Sequence, residues 1–293
     1  MTSLTTVSPL LTALVIAMAV TALHRRVRPQ LAAALLTGGI LGVAVAVVPT
    51  LVVLAVGFLV HLPLLGSGFE WCRAVLGFHA SVNPWFGAAA TGMLAFGVAR
   101  AVRSVRAWRR HRCVESGHVA LVDSDEWFAY SLPGPGRRIA VSSGLVDALD
   151  GDELEVVLAH ERGHARHRHD RQLLAAELAA CLVPPLEWLR RRLRFALERW
   201  ADEEAVEAAG GDRERVALTL AKVALGPSEA PQTVAAFNGL GVAARVEALL
   251  RPQPLRHEGF WTSTIGLGVV AVALAAAVQA HRVVALLVTL CPG

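Results

Sequence analysis

Ala159-His160-Glu161-Arg162-Gly163-His164 sets two imidazoles four residues apart, with a carboxylate directly after the first. On a helix, positions i and i+4 share a face, so His160 and His164 can each aim a ring nitrogen at one cation. Glu161 lies beside that face, within reach of a proton on a water held there. The flanks agree with a helix. Asp150 reads as an N-cap and Asp152 and Glu153 fall in the first turn, which predicts a helix from about Gly151 to His169.

Upstream, Val119-Ala120-Leu121-Val122, Trp127 to Leu132 and Arg138 to Ser142 read as short strands. Pro133-Gly134-Pro135-Gly136 is a turn, and Leu145 to Leu149 a short helix. Downstream, Gln172 to Val183 is an apolar helix stopped by Pro184-Pro185. Arg190-Arg191-Arg192 and Arg194 read as a solvated or headgroup-facing surface. Phe195 to Ala209 is helical and ends at Gly210-Gly211; Asp212 caps a further helix to about Leu225, and residues 226 to 241 read as loop. A small sheet followed by helices is an α+β arrangement.

A catalytic zinc site needs three protein ligands and an open position. His160 and His164 supply two. Glu198 is the best third, because it sits on a separate helix and is followed one turn later by Asp202, a carboxylate able to hydrogen-bond a ligating histidine. Glu203 and Glu204 compete but lie on other faces, and a ligand at His167 would strain one straight helix. His167 and His169 read as surface or headgroup residues. Arg245, which opens the helical pattern to Leu250, is the nominee to stabilise a tetrahedral oxyanion. Its bland alternative is an ordinary salt bridge.

Composition gives the setting. The 293 residues are 54% hydrophobic and 18% charged, against about 25% charged in soluble domains. Net charge is +4, with Lys222 the only lysine, and the arginines cluster beside apolar runs. That placement favours a membrane over nucleic acid, and no direct nucleic-acid partner is expected. Cys72, Cys113, Cys181 and Cys291 show no paired spacing. Apolar stretches at about 4–23, 31–60, 84–100 and 260–280 predict four transmembrane helices. The second, interrupted by Pro49, would span about 45 Å as helix and is expected to be one kinked or tilted span that overshoots. Basic residues at Arg25 to Arg28, Arg100 to Arg112 and Arg251 to His257 predict an outside N-terminus and a cytoplasmic domain. The expected architecture is a mostly α, multi-pass cell-membrane protein. Residues 1–102 carry three spans, 103–258 form an inserted α+β zincin-like metallopeptidase domain, and 259–293 hold a fourth span and tail.

The chemistry that follows is metal-assisted peptide hydrolysis: one Zn2+ ion acidifies water and polarises a carbonyl, while Glu161 takes a proton and passes it to the leaving amine. Val141 to Asp170, "VSSGLVDALDGDELEVVLAHERGHARHRHD", and Ala196 to Ala205, "ALERWADEEA", resemble the integral-membrane zinc metallopeptidases of the BlaR/MecR antirepressor type. More distantly they resemble the heat-shock membrane protease and CaaX prenyl-protease group. The resemblance implies that His160, His164 and Glu198 bind zinc, Glu161 is the base, and Asp202 supports a ligand. It also implies that the strand at Phe128-Ala129-Tyr130 pairs with an extended substrate. The chain ends at Gly293 without the penicillin-binding sensor domain that such receptors carry, so direct β-lactam sensing is not expected.

The expected function is a membrane-anchored zinc endopeptidase acting on a cytoplasmic or membrane-proximal protein, a transcriptional repressor among the candidates. A non-proteolytic signalling scaffold with a structural zinc site is the alternative, and Glu161 beside the metal argues against it. A transporter is weaker still, since the spans hold almost no ionisable residues.

Overall fold

Apolar runs broken by few charges form the longest elements here. The computed structural model describes residues 18, 27–59, 62, 83–110, 119–132, 138–227 and 232–251. Helix α1 spans Pro29–Leu59 with Pro49 inside it, and α2 spans Pro84–Arg110. Both are long and apolar enough to cross a membrane. The second apolar stretch is therefore one helix. The expected span at 260–280 and, apart from Met18, the span at 4–23 lie outside the described residues, as do the turn at 133–136 and Cys72, Cys113 and Cys291. Phe58, near the end of α1, lies over Gly87, near the start of α2, so the two helices run antiparallel.

After α2 the chain forms β1 (Val119–Val122), β2 (Ala129–Ser131) and β3 (Ile139–Ser142), in the order β1-β3-β2. β3 is buried along its whole length, parallel to β1 and antiparallel to β2. Helix α3 (Ser143–Ala148) leads to α4 (Gly151–Arg166), the metal-motif helix. Asp150 accepts from the Glu153 backbone at 2.7 Å, and the Glu153 side chain accepts from the Asp150 backbone at 3.0 Å. This reciprocal cap satisfies two N–H groups that the first turn leaves without partners.

α4 stops at Arg166, short of the expected His169. Arg168 takes a left-handed conformation, φ 54° and ψ 45°, and α5 (His169–Leu182) begins one residue later. A turn at Pro184–Leu186 precedes α6 (Glu187–Ala208). The arginine segment lies on the first turns of α6, where Arg191 and Arg194 are exposed and Arg190 and Arg192 partly so. Arg190 bridges Glu177 and Glu187, and Arg192 sits over the Trp188 ring. Gly210 and Gly211 both take positive φ, where glycine is favoured, and Asp212 caps α7 (Arg213–Leu225) as expected. Helix α8 (Gln232–Leu250) replaces most of the loop expected at 226–241. α8 packs against α7, with Val246 and Leu249 in the shared core.

Two stripes on α6 organise the core. Leu189, Leu193, Ala196 and Leu197 pack against Leu36, Ile40, Val43 and Val47 of α1, together with Ala176, Ala179 and Ala180 of α5. The neighbouring stripe turns Ala205 and Val206 toward Val156 and Ala159 of α4, with Val216 and Ala217 of α7 and Leu249 of α8. α6 is thereby held between the apolar helix α1 and the motif helix α4.

Candidate metal centre

Helices α4 and α6 approach closely at Gly163. A Cβ there would stand 3.3 Å from the Glu204 side chain and 3.4 Å from the Ala201 Cα, so a larger residue would need the Glu204 side chain to shift. At this separation Glu198 faces the two histidines. His160 Nε2 and His164 Nε2 are 3.1 Å apart. Glu198 Oε2 lies 3.6 Å from the first and Glu198 Oε1 3.8 Å from the second. Tetrahedral zinc ligands at their usual bond lengths stand about 3.3–3.5 Å from one another. The three residues therefore fit one zinc ion, and they form the only such cluster among the described residues.

The remaining ring nitrogens are also held. His160 Nδ1 lies 3.1 Å from Asp202 Oδ1, which leaves Nε2 free to ligate. Arg245, buried, donates through Nε and Nη2 to Asp202 at 2.9 and 2.5 Å, and Nη1 lies 2.9 Å from Glu198 Oε2. The salt-bridge alternative thus describes its visible contacts: it clamps the two carboxylates. His169 is not a surface residue, and His167 is partly exposed. His167 is paired with Glu204 at 2.8 Å and rests against the Trp200 ring. His169 is 1% exposed, and its Nδ1 lies 2.8 Å from His164 Nδ1. Glu203 pairs with Arg213 and Glu204 with His167, so neither competing acid turns into the centre.

Charge follows from this packing. For the metal-free chain, burial works to lower the His160 pKa, but hydrogen bonds to Asp202 and Glu198 outweigh it and raise it to about 10. Burial and the neighbouring His160 lower His164 to about 4. Burial pushes Glu198 upward, yet His160, His164 and Arg245 hold it well below the usual carboxylate range. A cation arriving at neutral pH must therefore displace the His160 proton. Zinc affinity is expected to rise about tenfold per pH unit through neutrality, with about one proton released per ion. Calorimetric titration in buffers of different ionisation heat reads that number, and zero release would contradict the arrangement.

Glu161 points to the sheet. Its Oε2 accepts from Ser131 N–H at 2.8 Å, and burial raises its pKa to about 7. Tyr130 pairs with Ala140, while Leu132 N–H donates to Arg138 and Ser142 N–H to Phe128. Alternation then directs the peptide groups of Ala129 and Ser131 to the free edge of β2. Of the three expected edge residues, Ala129 presents its backbone outward; Phe128 and Tyr130 spend theirs on β3. Ser131 was missed by residue type, since it acts through its backbone.

Residues 103–225 match the model of Peptidase family M48. Proteins named protease HtpX homolog are similar over parts of the chain. That of Thermoplasma acidophilum is 47% identical over 66 residues, covering 22% of this chain and 21% of the relative. That of Aeropyrum pernix is 37% identical over 99 residues, 34% of this chain and 27% of the relative. That of Pyrococcus abyssi is 32% identical over 139 residues, 42% and 47% respectively. The chain spans about a fifth of the length of the first of these relatives. No solved structure matches. The M48-like segment contains His160, Glu161, His164, Glu198 and Asp202; Arg245 lies beyond it.

Proposed function

We propose that this chain is a membrane-anchored zinc-dependent endopeptidase. The observation that carries the reading is the convergence of His160, His164 and Glu198 on one point, inside a segment that matches a peptidase family. Bound there, zinc would supply Lewis acidity toward a peptide carbonyl and toward water. Asp202 orients His160, and Arg245 fixes Asp202 and Glu198. A guanidinium has five N–H groups, so Arg245 keeps donors for an oxyanion beyond those three contacts. Glu161 takes the attacking water's proton and delivers it to the departing amine. An extended peptide adds to the free edge of β2 through Ala129 and Ser131, and in doing so competes with Glu161 for the Ser131 N–H. Substrate docking then frees the base.

The four-span topology, with an outside N-terminus and a cytoplasmic peptidase domain, belongs to the same proposal; the basic segments and the apolar helices α1 and α2 support it. The lipid bilayer and a protein substrate are the partners. The names of the relatives support the heat-shock side of the resemblance more than the antirepressor side. A repressor substrate is the narrower proposal, read out by a cleaved repressor in cells. A scaffold with structural zinc gains nothing from the buried carboxyl of Glu161 beside the site.

The test is metal removal. Detergent-solubilised protein should cleave an unfolded protein substrate, lose about 100-fold or more of that rate on chelation, and regain it with zinc. Cleavage indifferent to chelation would overturn the proposal.

A further inference from the structure

His169 has no function in the chemistry above, yet it sits in a costly place. The left-handed Arg168 that introduces it costs roughly 1–2 kcal/mol in a non-glycine residue. Among the described residues its buried Nε2 has no hydrogen-bond partner, an arrangement proteins rarely leave unexplained. On a straight α4, residue 169 would lie far round from His164. The break at Arg168 instead brings the two rings edge to face, 4.8 Å between centroids, with Nδ1 facing Nδ1 at 2.8 Å. Trp200 closes the other side at 5.0 Å.

Two imidazole nitrogens make a hydrogen bond only if one carries the proton and the other does not. A ligating His164 must keep a lone pair on Nε2, so its proton belongs on Nδ1. His169 then accepts at Nδ1 and keeps its own proton on the orphaned Nε2. We propose that His169 is a positioning residue that fixes the tautomer and ring plane of His164, as Asp202 does for His160, but without bringing a charge. The inference rests on the zinc reading. It makes the two ligands unequal: one is backed by a carboxylate and the other by a neutral ring, which leaves the centre less negative than two carboxylates would.

The experiment measures metal binding rather than turnover. Zinc affinity by competition with a chromophoric chelator, the visible spectrum of the cobalt(II) form, and metal-free unfolding are compared for the wild type, His169→Leu, His169→Asn and His164→Ala. His169→Leu should bind zinc about 10–100-fold more weakly and shift the cobalt spectrum, with metal-free unfolding no less stable. His169→Asn, whose Oδ1 accepts the same hydrogen bond, should bind within about threefold of wild type. Wild-type affinity and spectrum in His169→Leu, or an Asn variant as weak as the Leu variant, would overturn the proposal. Should the Leu chain not fold, the Asn variant decides alone, and a loss of about tenfold or more counts against the proposal. The zinc reading itself fails separately, if the wild type takes up no zinc or His164→Ala binds it unchanged.

Discussion

Glu161→Gln is expected to lower peptide hydrolysis by about 10²–10⁴-fold or more while leaving zinc bound. The replacement keeps the shape of the side chain, and its carbonyl oxygen can still accept from Ser131 N–H, so the contact between α4 and β2 survives. Only the ability to take a proton is lost. Glu161 is not among the three donors, and zinc affinity should stay close to that of the wild type. Burial places its pKa at about 7 in the metal-free chain, near the pH at which a general base works best. Peptide hydrolysis and zinc content are measured together on one preparation. Full activity with zinc bound would remove the base from the mechanism. Cellular effects that persist in the variant would favour a scaffold role.

Arg245→Met is expected to cost about 3–5 kcal/mol of folding stability in the metal-free chain. The guanidinium is buried and meets Asp202 twice and Glu198 once. Without it the buried Asp202 and the partly exposed Glu198 are opposed only by the two histidines. The pH dependence has a definite sign. Both carboxylates are held below their ordinary values, so they contribute stability above the unfolded carboxylate range and lose it as pH falls through the folded values. Removing Arg245 reduces that contribution. The gap between variant and wild type should be widest near neutrality and narrow on acidification. Thermal unfolding across pH tests this, and an unchanged unfolding temperature at neutral pH would show that the clamp carries no net stability.

Local chemistry made much of the site legible. Asp150 and Glu153 announce the start of α4, Gly210-Gly211 and Asp212 mark the junction of α6 and α7, and the spacing of Glu198 and Asp202 places both on the side of α6 that meets α4. What stayed hidden depends on tertiary contact. Neither glycine nor proline marks the break at Arg168, because His169 is drawn back by His164 and Trp200 rather than by a turn residue. Residues 232–241 look like loop by their Gly and Asn, yet they belong to a helix that packs against α7 through its later turns. Ser131 was silent because a backbone N–H has no signature in residue type.

The first half of α1 is a wall of the unit that carries the metal-binding cluster as well as a candidate membrane span. Leu189, Leu193 and Leu197 are at most 1% exposed because α1 covers them, and each is worth about 2 kcal/mol out of water. The stretch that matches a peptidase family is thus smaller than the body that folds. α1 and α6 share one interior, so a strain on the apolar helix reaches the helix that bears Glu198 through direct side-chain packing.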